Sequence, residues 1–364
     1  MNKINRYSLL GVLAVLMVSL LASCNNDAPD QPDRLPIDLL TSIDNRNWVE
    51  KSRVVQDGED RSILDFSDGD EIVVDMWRMP NGEGSTSNAP DIMRRKVMTY
   101  ADSSWDYSPK KVWSDTVGDR IAVLAYHLAG ATNCVVNEDW DETSGYPTIT
   151  FTGASEDCDV LVSPVKKIKK NDLVGEKVPI EFRHIKMRMK MEIRYWSDEE
   201  DCGEWTSLYI DNIAFWNHPR GAVFKGFDSD MVPQWEITDY PTGTGVYVTT
   251  NKIIPWGKDF ISLPDATKFH YPFVCKHAST QDGHADNAKF GFKVFKQNEN
   301  GNRVSLTHDK DYFEKYFDTE IVGGCSYLFR ITINPHNQVE LQVEKETNND
   351  VWWTGTHTDT TVGF

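Results

Sequence analysis

Ile185-Lys186-Met187-Arg188-Met189-Lys190-Met191-Glu192-Ile193-Arg194 (IKMRMKMEIR, residues 185–194) decides the fold class. Ile185, Met187, Met189, Met191 and Ile193 fall on one phase of a two-residue repeat, and the five charged side chains fall on the other. Successive side chains of a strand point to opposite faces, so this segment is a strand with one apolar and one charged face; wound as a helix, its charges would interrupt the apolar stripe. The same period recurs elsewhere. Leu35, Ile37, Leu39, Thr41 and Ile43 share a phase and predict a half-buried first strand over Leu35–Ile43. Tyr327, Phe329, Ile331 and Ile333 share another; Asn334-Pro335-His336-Asn337 has turn chemistry, and Val339, Leu341 and Val343 resume the alternation, which predicts a terminal hairpin. Helical spacing is rare, with one short helix expected over Asp309–Tyr316, where Tyr312, Phe313 and Tyr316 would line up. The chain reads as all-β, with no internal repeat of fixed period.

The amino terminus has a different character. Lys3 and Arg6 precede an apolar run from Leu9 to Leu21, followed by Leu21-Ala22-Ser23-Cys24. A charged start, a short apolar core and small residues before a cysteine form a bacterial lipobox, with signal peptidase cleavage between Ser23 and Cys24 and lipidation of Cys24. The run is shorter than the roughly 20 apolar residues a membrane-spanning helix needs. Several acyl chains on one cysteine anchor a protein stably, since about two already suffice. Residues 1–23 are therefore expected to be a signal peptide. Residues 24–34 (CNNDAPDQPDR) are polar, acidic and proline-rich, a lipidated flexible tether.

Loss of Lys3 and Arg6 with the signal peptide takes the formal charge from −18 to −20. Such acidity argues against nucleic-acid partners and against electrostatic attachment to anionic lipid. About 340 remaining residues suit two domains, and the basic, polar stretch Lys166–Lys170 with Asn171-Asp172 suggests a division into 35–172 and 173–364. With Cys24 acylated, five cysteines remain, and the export route leads to an oxidising compartment. Cys134 with Cys158 and Cys275 with Cys325 are plausible bridges, and a set of buried unpaired thiols is an equal alternative.

No spaced catalytic set of the G-x-S-x-G or H-E-x-x-H kind occurs, so the chain is expected not to be an enzyme and to need no cofactor. His270, His277 and His284 recur every seven residues, but Gly283 and polar neighbours make them solvated loop residues rather than metal ligands. Trp196, Trp205, Trp216 and Trp235 lie in one region and offer two readings: fillers of a β core, or aromatic platforms of a glycan-binding surface lipoprotein that does not polymerise.

Several segments resemble the fimbrillin family, pilin-like lipoproteins of anaerobic gut and oral bacteria related to the major and minor fimbrial subunits. Asp65-Phe66-Ser67-Asp68-Gly69-Asp70-Glu71-Ile72-Val73-Val74 is similar to the family's F-x-x-G-D-x-I-x-V element. Tyr100, Trp105 and Trp113, leading into Ile121–Tyr126, resemble its Y…W…W run, although His127-Leu128 replaces the usual tyrosine-proline ending. Asp159-Val160-Leu161-Val162 is similar to the D-L-L-V strand that closes the first domain, and Val178–Ile185 to the V-x-L-x-F-x-H-x-L that opens the second. Gly324, Tyr327, Phe329 and Ile331 with Trp352-Trp353 resemble the closing hairpin and its tryptophan.

The resemblance implies two tandem transthyretin-like Greek-key β-sandwich domains and a surface-exposed, lipid-anchored protein of the outer membrane. It also implies a fimbrial subunit whose first strand is removed by a trypsin-like protease, so that a strand of the next subunit completes the fold. On this sequence the removable strand is Leu35–Ile43, and Arg46 and Arg53 are the nearest cleavage sites. Other pilus subunits are the implied partners, with host or bacterial surface ligands as further ones. The tail Thr354–Phe364 puts only Val362 and Phe364 in phase as a donor strand, which favours a tip, accessory or anchor subunit over a shaft subunit.

Overall fold

The computed structural model describes residues 35–44, 65–79, 90–113, 120–128, 131–140, 147–152, 158–216, 219, 221–239, 245–263, 266, 268–271, 289–306, 313–316, 321–346 and 360–362. Its strands, in chain order, begin with β1 (Leu39–Asp44), β2 (Glu71–Arg78), β3 (Met93–Ala101), β4 (Ser104–Asp106), β5 (Arg120–His127), β6 (Cys134–Trp140), β7 (Pro147–Phe151) and β8 (Leu161–Val162). There follow β9 (Lys166–Lys169), β10 (Val178–His184), β11 (Met187–Tyr195), β12 (Trp205–Trp216), β13 (Gly221–Phe227), β14 (Pro233–Asp239), β15 (Gly245–Pro255) and β16 (Ile261–Ser262). The last are β17 (Lys268–His270), β18 (Lys289–Asn298), β19 (Arg303–Ser305), β20 (Phe313–Tyr316), β21 (Ser326–Ile333), β22 (Val339–Lys345) and β23 (Thr360–Val362). Among the described residues no helix is long and apolar enough to cross a membrane.

Among the described residues four sheets enclose three cores. The first sheet runs β1-β10-β8-β5-β2-β3-β4, with β9 also on β5. One of its faces surrounds a core of Ile37, Leu39, Phe66, Ile72, Val74, Trp105, Ile121, Val123, Val178, Ile180 and Phe182. Its other face packs Trp77, Leu124, Tyr126 and Val162 against a four-stranded sheet, β14-β13-β7-β6. This double covering explains why Ile121-Ala122-Val123-Leu124-Ala125-Tyr126 is apolar without interruption: β5 is buried on both faces. The third core lies between the sheet β16-β11-β21-β22-β23, with β17 on β11, and the sheet β15-β12-β18-β19, with β20 on β18. The fold is thus an all-β sandwich architecture.

The 185–194 segment is a strand from Met187 onward, as its period predicts, with Met187, Met189, Met191 and Ile193 in the third core, whereas Ile185 and Lys186 form the crossover from β10 and Ile185 packs in the core against the four-stranded sheet. Its charged face is not solvated throughout, however: Lys186, Arg188 and Lys190 are buried. Arg188 Nε donates to Ser326 Oγ at 2.9 Å, its guanidinium lies 3.5 Å from Glu346, and Lys190 reaches the same carboxylate at 3.3 Å. Lys186 Nζ donates to the Cys158 carbonyl at 3.1 Å beside the rings of Phe151 and Tyr271. Buried cations are tolerated because each has an oxygen or a π face at hand.

The terminal hairpin forms as expected. Asn334 Oδ1 accepts from the backbone N–H groups of His336 and Gln338, and Asn337 takes φ 64°, a conformation asparagine tolerates well. The expected helix does not form where the structure describes it. Phe313–Tyr316 is strand β20, because Phe313 is buried against Phe292 at a ring separation of 4.9 Å and its backbone completes the edge of β18. Tertiary pairing outweighs a single helical stripe.

The division expected after Asp172 falls inside the first sheet's run of strands. β10, beyond that point, lies between β1 and β8, since its inward Val178, Ile180 and Phe182 complete the first core. The chain leaves that sheet between His184 and Met187. β6 and β7, from before residue 172, share a sheet with β13 and β14, from after it. Cys134, Cys158, Cys202 and Cys325 carry thiols rather than the suggested bridges, the alternative of partly or fully buried thiols.

Candidate functional site

The chain's first described segment is built into the first core on both sides. Along residues 35–37 it pairs with the stretch after β4: Ile37 N–H donates to the Lys111 carbonyl at 2.8 Å, and Trp113 N–H donates to the Leu35 carbonyl at 2.9 Å. From Asp38 onward it changes partner. Val178 N–H donates to the Asp38 carbonyl at 2.8 Å, and β1 then runs parallel to β10 in a register from Leu39 opposite Val178 to Asp44 opposite Arg183. Among the described residues β10 is the only strand paired with β1, which makes β1 an edge strand of the described sheet.

Alternation decides which side chains matter. Ile37 and Leu39 are buried, Thr41 and Ile43 are half-buried, and the intervening Leu40 and Ser42 point outward and are exposed. Tyr107 donates its hydroxyl to the Ile37 carbonyl at 2.8 Å and accepts from Lys111 N–H. Burial pushes the Tyr107 hydroxyl up to about 12, so it stays a neutral donor over the physiological range. Trp105 Nε1 donates to Thr41 Oγ1 at 3.0 Å, Lys110 pairs with Asp38 at 3.2 Å, and Arg183 clamps Asp44 at 2.7 Å.

Phe66 closes the same pocket. It stands at the centre of rings from Trp105 at 5.1 Å, Phe182 at 5.2 Å, His127 at 5.7 Å and Tyr100 at 6.3 Å. The turn behind it is built by Asp70, whose carboxylate accepts from Ser67 N–H, and by Gly69 at φ 97°, a conformation that suits glycine. The motif 65–74 is therefore a device that delivers Phe66 under β1 and launches β2.

Of the residues singled out from the sequence, Trp105 and Trp113 are brought to this seat. Tyr107 was not anticipated, and only its place within the Y…W…W run hinted at it; Arg183 stands inside the Val178–Ile185 motif, but nothing in the sequence marked it as the partner of Asp44. Ser23, Cys24, Arg46 and Arg53 lie outside the described residues, Arg46 two positions past the end of β1. His270 is on β17, paired with Met187, whereas His277, His284 and Cys275 lie outside the described residues. No cluster suited to a metal ion occurs among the described residues. Trp216 is buried and Trp196, Trp205 and Trp235 are half-buried; Trp235 packs on Phe151, Phe224 and Tyr271 in the middle core, as a filler does.

No protein-family model matches the chain, and no curated protein sequence does. Solved structures do. A fimbrial protein from Bacteroides vulgatus ATCC 8482 superposes with a TM-score of 0.58 at 13% identity, covering 87% of this chain and 100% of that one. A candidate cell adhesion protein from Bacteroides uniformis ATCC 8492 gives 0.46 at 16% identity over 86% of this chain and 98% of its own. A fimbrial assembly protein from Parabacteroides distasonis ATCC 8503 gives 0.38 at 10% identity, covering 86% and 97%. Over most of its length, then, this chain has the fold of the Bacteroides vulgatus fimbrial protein, in agreement with the fimbrillin resemblance of its sequence.

Proposed function

We propose that this chain is a surface-exposed, lipid-anchored subunit of a fimbrillin-like pilus, of tip, accessory or anchor type, that assembles by protease-triggered strand exchange and contributes to adhesion. The lipobox at Cys24 supports the anchor, and the shared fold with a fimbrial protein supports the pilus. The observation that carries strand exchange is the seat of β1. The edge segment 35–44, held by a short pairing of residues 35–37 with the stretch after β4 and by one parallel ladder on β10, buries Ile37 and Leu39 and half-buries Leu35 and Ile43 at the first core, and a segment of this kind is removable without unravelling the rest. Its loss would expose the backbone of β10 and an apolar slot beside Phe66 and Phe182, the situation strand addition relieves. Cleavage after Arg46 or Arg53 would free residues 24–46 or 24–53 together with β1.

The test is limited proteolysis of the exported form with trace trypsin, following amino-terminal sequence and oligomer size together. The expected outcome is loss of a fragment ending at Arg46 or Arg53, a resistant remainder, and ladders that a synthetic peptide of residues 35–44 suppresses by refilling the slot. A trypsin-resistant monomer would refute strand exchange. The tail Thr354–Phe364, with only Val362 and Phe364 in phase, supports a subunit that accepts a strand more readily than it gives one.

A further inference from the structure

The outer face of the sheet β15-β12-β18-β19 carries a row that the sandwich core does not use. Ile253 on β15, Tyr209 on β12 and Phe295 on β18 stand in register across three adjacent strands, on the face opposite Leu208, Ile210 and Val294, which fill the third core. Two strand spacings make the row about 10 Å long. Ile253 is 50% exposed, Tyr209 and Phe295 are half-buried, and the two rings are 6.2 Å apart. A row of apolar side chains flush with a flat sheet face is a platform rather than a cavity.

The polar groups around it are fixed in a particular sense. The Tyr209 hydroxyl donates to Asn251 Oδ1 at 2.7 Å. The guanidinium of exposed Arg303, on β19, lies 3.4 Å from the centre of the Tyr209 ring, and its Nε donates to Gln297 Oε1 at 2.9 Å. Asn251 and Gln297 have each committed the oxygen of their carboxamide, which leaves the NH2 groups, and guanidinium nitrogens only donate. The terminal nitrogens of Arg303 have no partner among the described residues. The row therefore offers hydrogen-bond donors, one positive charge and an apolar plane, on a chain whose formal charge is −18.

We propose that this face binds carboxylate-bearing saccharides such as uronic or sialic acids. The carboxylate takes the terminal nitrogens of Arg303, ring oxygens and hydroxyls take the carboxamide donors, and a sugar's C–H face lies on Phe295 and Ile253. A planar guanidinium accepts a carboxylate through two parallel hydrogen bonds, and stacking on Tyr209 with Nε tethered holds the fork in place before the ligand arrives. An acidic peptide fits less well, because an extended peptide on a sheet satisfies its backbone at an edge, and this row lies on a face. The inference rests on the adhesive part of the proposed function and is independent of strand exchange: the row is on a different sheet from β1.

The test uses the purified full chain and isothermal titration with trigalacturonic acid and sialyllactose, against methyl-esterified trigalacturonate, lactose and triglutamate. Binding of a carboxylated saccharide, weakened about tenfold or more by esterification and by Arg303→Gln or Phe295→Ala, is expected, with a loss of affinity as salt rises. Arg303→Lys, which keeps the charge and loses the fork, should fall between the wild type and Arg303→Gln. An unchanged circular dichroism spectrum shows each variant folded. Absence of binding to both acids, equal binding of the esterified trimer, or triglutamate binding as tight as trigalacturonate would each overturn the proposal. Trypsin-triggered ladders, read in the same preparation, report separately on strand exchange.

Discussion

Arg95 shows how one side chain can hold two sheets together. It sits at φ 51° where the β2–β3 register shifts between Val74 and Met76, and that bulge aims its side chain across the molecule. Its backbone N–H donates to Asp75 Oδ1 at 2.7 Å, its guanidinium donates to Tyr126 Oη at 3.1 Å and the Val136 carbonyl at 3.3 Å, and a further bond reaches the Asn137 carbonyl on β6. Asp75 is completely buried, and Arg95 Nε lies 3.7 Å from its Oδ2. Arg95→Met should therefore cost about 3–5 kcal/mol in urea denaturation, since it strands a buried carboxylate. Burial raises the Asp75 carboxyl above its ordinary range, and the N–H and charge of Arg95 only partly offset this. A raised folded-state value means that the folded state holds the proton more tightly, so the Asp75 contribution grows as pH falls through that value and is lost as pH rises through it. The stability of the wild type relative to Asp75→Asn, which does not titrate, should accordingly increase between neutral pH and about pH 4; a flat or opposite difference would contradict this placement of the carboxylate.

At the scale of elements, two joints set the geometry. Between β20 and β21, Gly323 and Gly324 let the chain pass against the crossover from β10 to β11: a Cβ on Gly323 would lie 2.5 Å from the Ile185 carbonyl and 2.9 Å from Trp235 Nε1, and Gly324 has φ 73°. Gly323→Ala should cost about 1–3 kcal/mol and shift the Trp235 signal in near-ultraviolet circular dichroism, because the atoms it meets are a backbone oxygen and a packed indole. The other joint is the seat of β1. Ile37 and Leu39 bury side chains that stabilise by about 1.5–3 kcal/mol each. Ile37→Ala with Leu39→Ala should therefore speed tryptic release of the amino-terminal segment while leaving the β11–β21–β22 region protected in hydrogen exchange. Equal loss of protection in both regions would mean that β1 is an integral strand and not a detachable one. The 65–74 motif was legible in the sequence as a turn and a strand start; that it carries Phe66 beneath β1 was not, because Trp105, His127 and Phe182 come to that ring from three separate strands or strand ends.

Across the whole molecule, the middle core is the feature that couples the two ends of the chain. β7 pairs with β13 through Ile149, Thr150 and Phe151, so strands from before residue 172 and after residue 220 share one sheet, and that sheet covers the outer face of β2 and β5. A fragment ending at Asp172 lacks β10, the strand on which β1 is paired, as well as β13 and β14. It should show exposed apolar surface and no cooperative thermal transition, whereas the full chain should unfold with its first and third cores coupled, in one calorimetric transition. Two well-separated transitions in the full chain would show that the bridging sheet does not transmit stability. The Asp159–His184 pair, 2.8 Å apart and buried, ties the approach to β8 to the end of β10 within the first sheet.

Local periodicity was enough to determine that this chain is built of strands, where its last hairpin lies, and which face of 185–194 enters a core; of the first strand expected over Leu35–Ile43, residues 35–37 pair instead with the stretch after β4 and β1 begins at Leu39. Alternation is a property of the strand itself and needs no partner to be read. The lipobox-like pattern before Cys24 and the acidic, proline-rich stretch after it are likewise read from contiguous residues. What only the tertiary structure decided is what lies opposite each face. Lys186, Arg188 and Lys190 look solvated in the sequence and are buried, because Ser326, Glu346 and the carbonyl of Cys158 are brought to them from 28 to 156 positions away. Phe313–Tyr316 carries a helical stripe and becomes a strand because β18 presents an unpaired edge to it. The row Ile253–Tyr209–Phe295 exists only across three strands, so no stretch of sequence contains it; pairing between distant segments created both that row and the seat in which β1 lies.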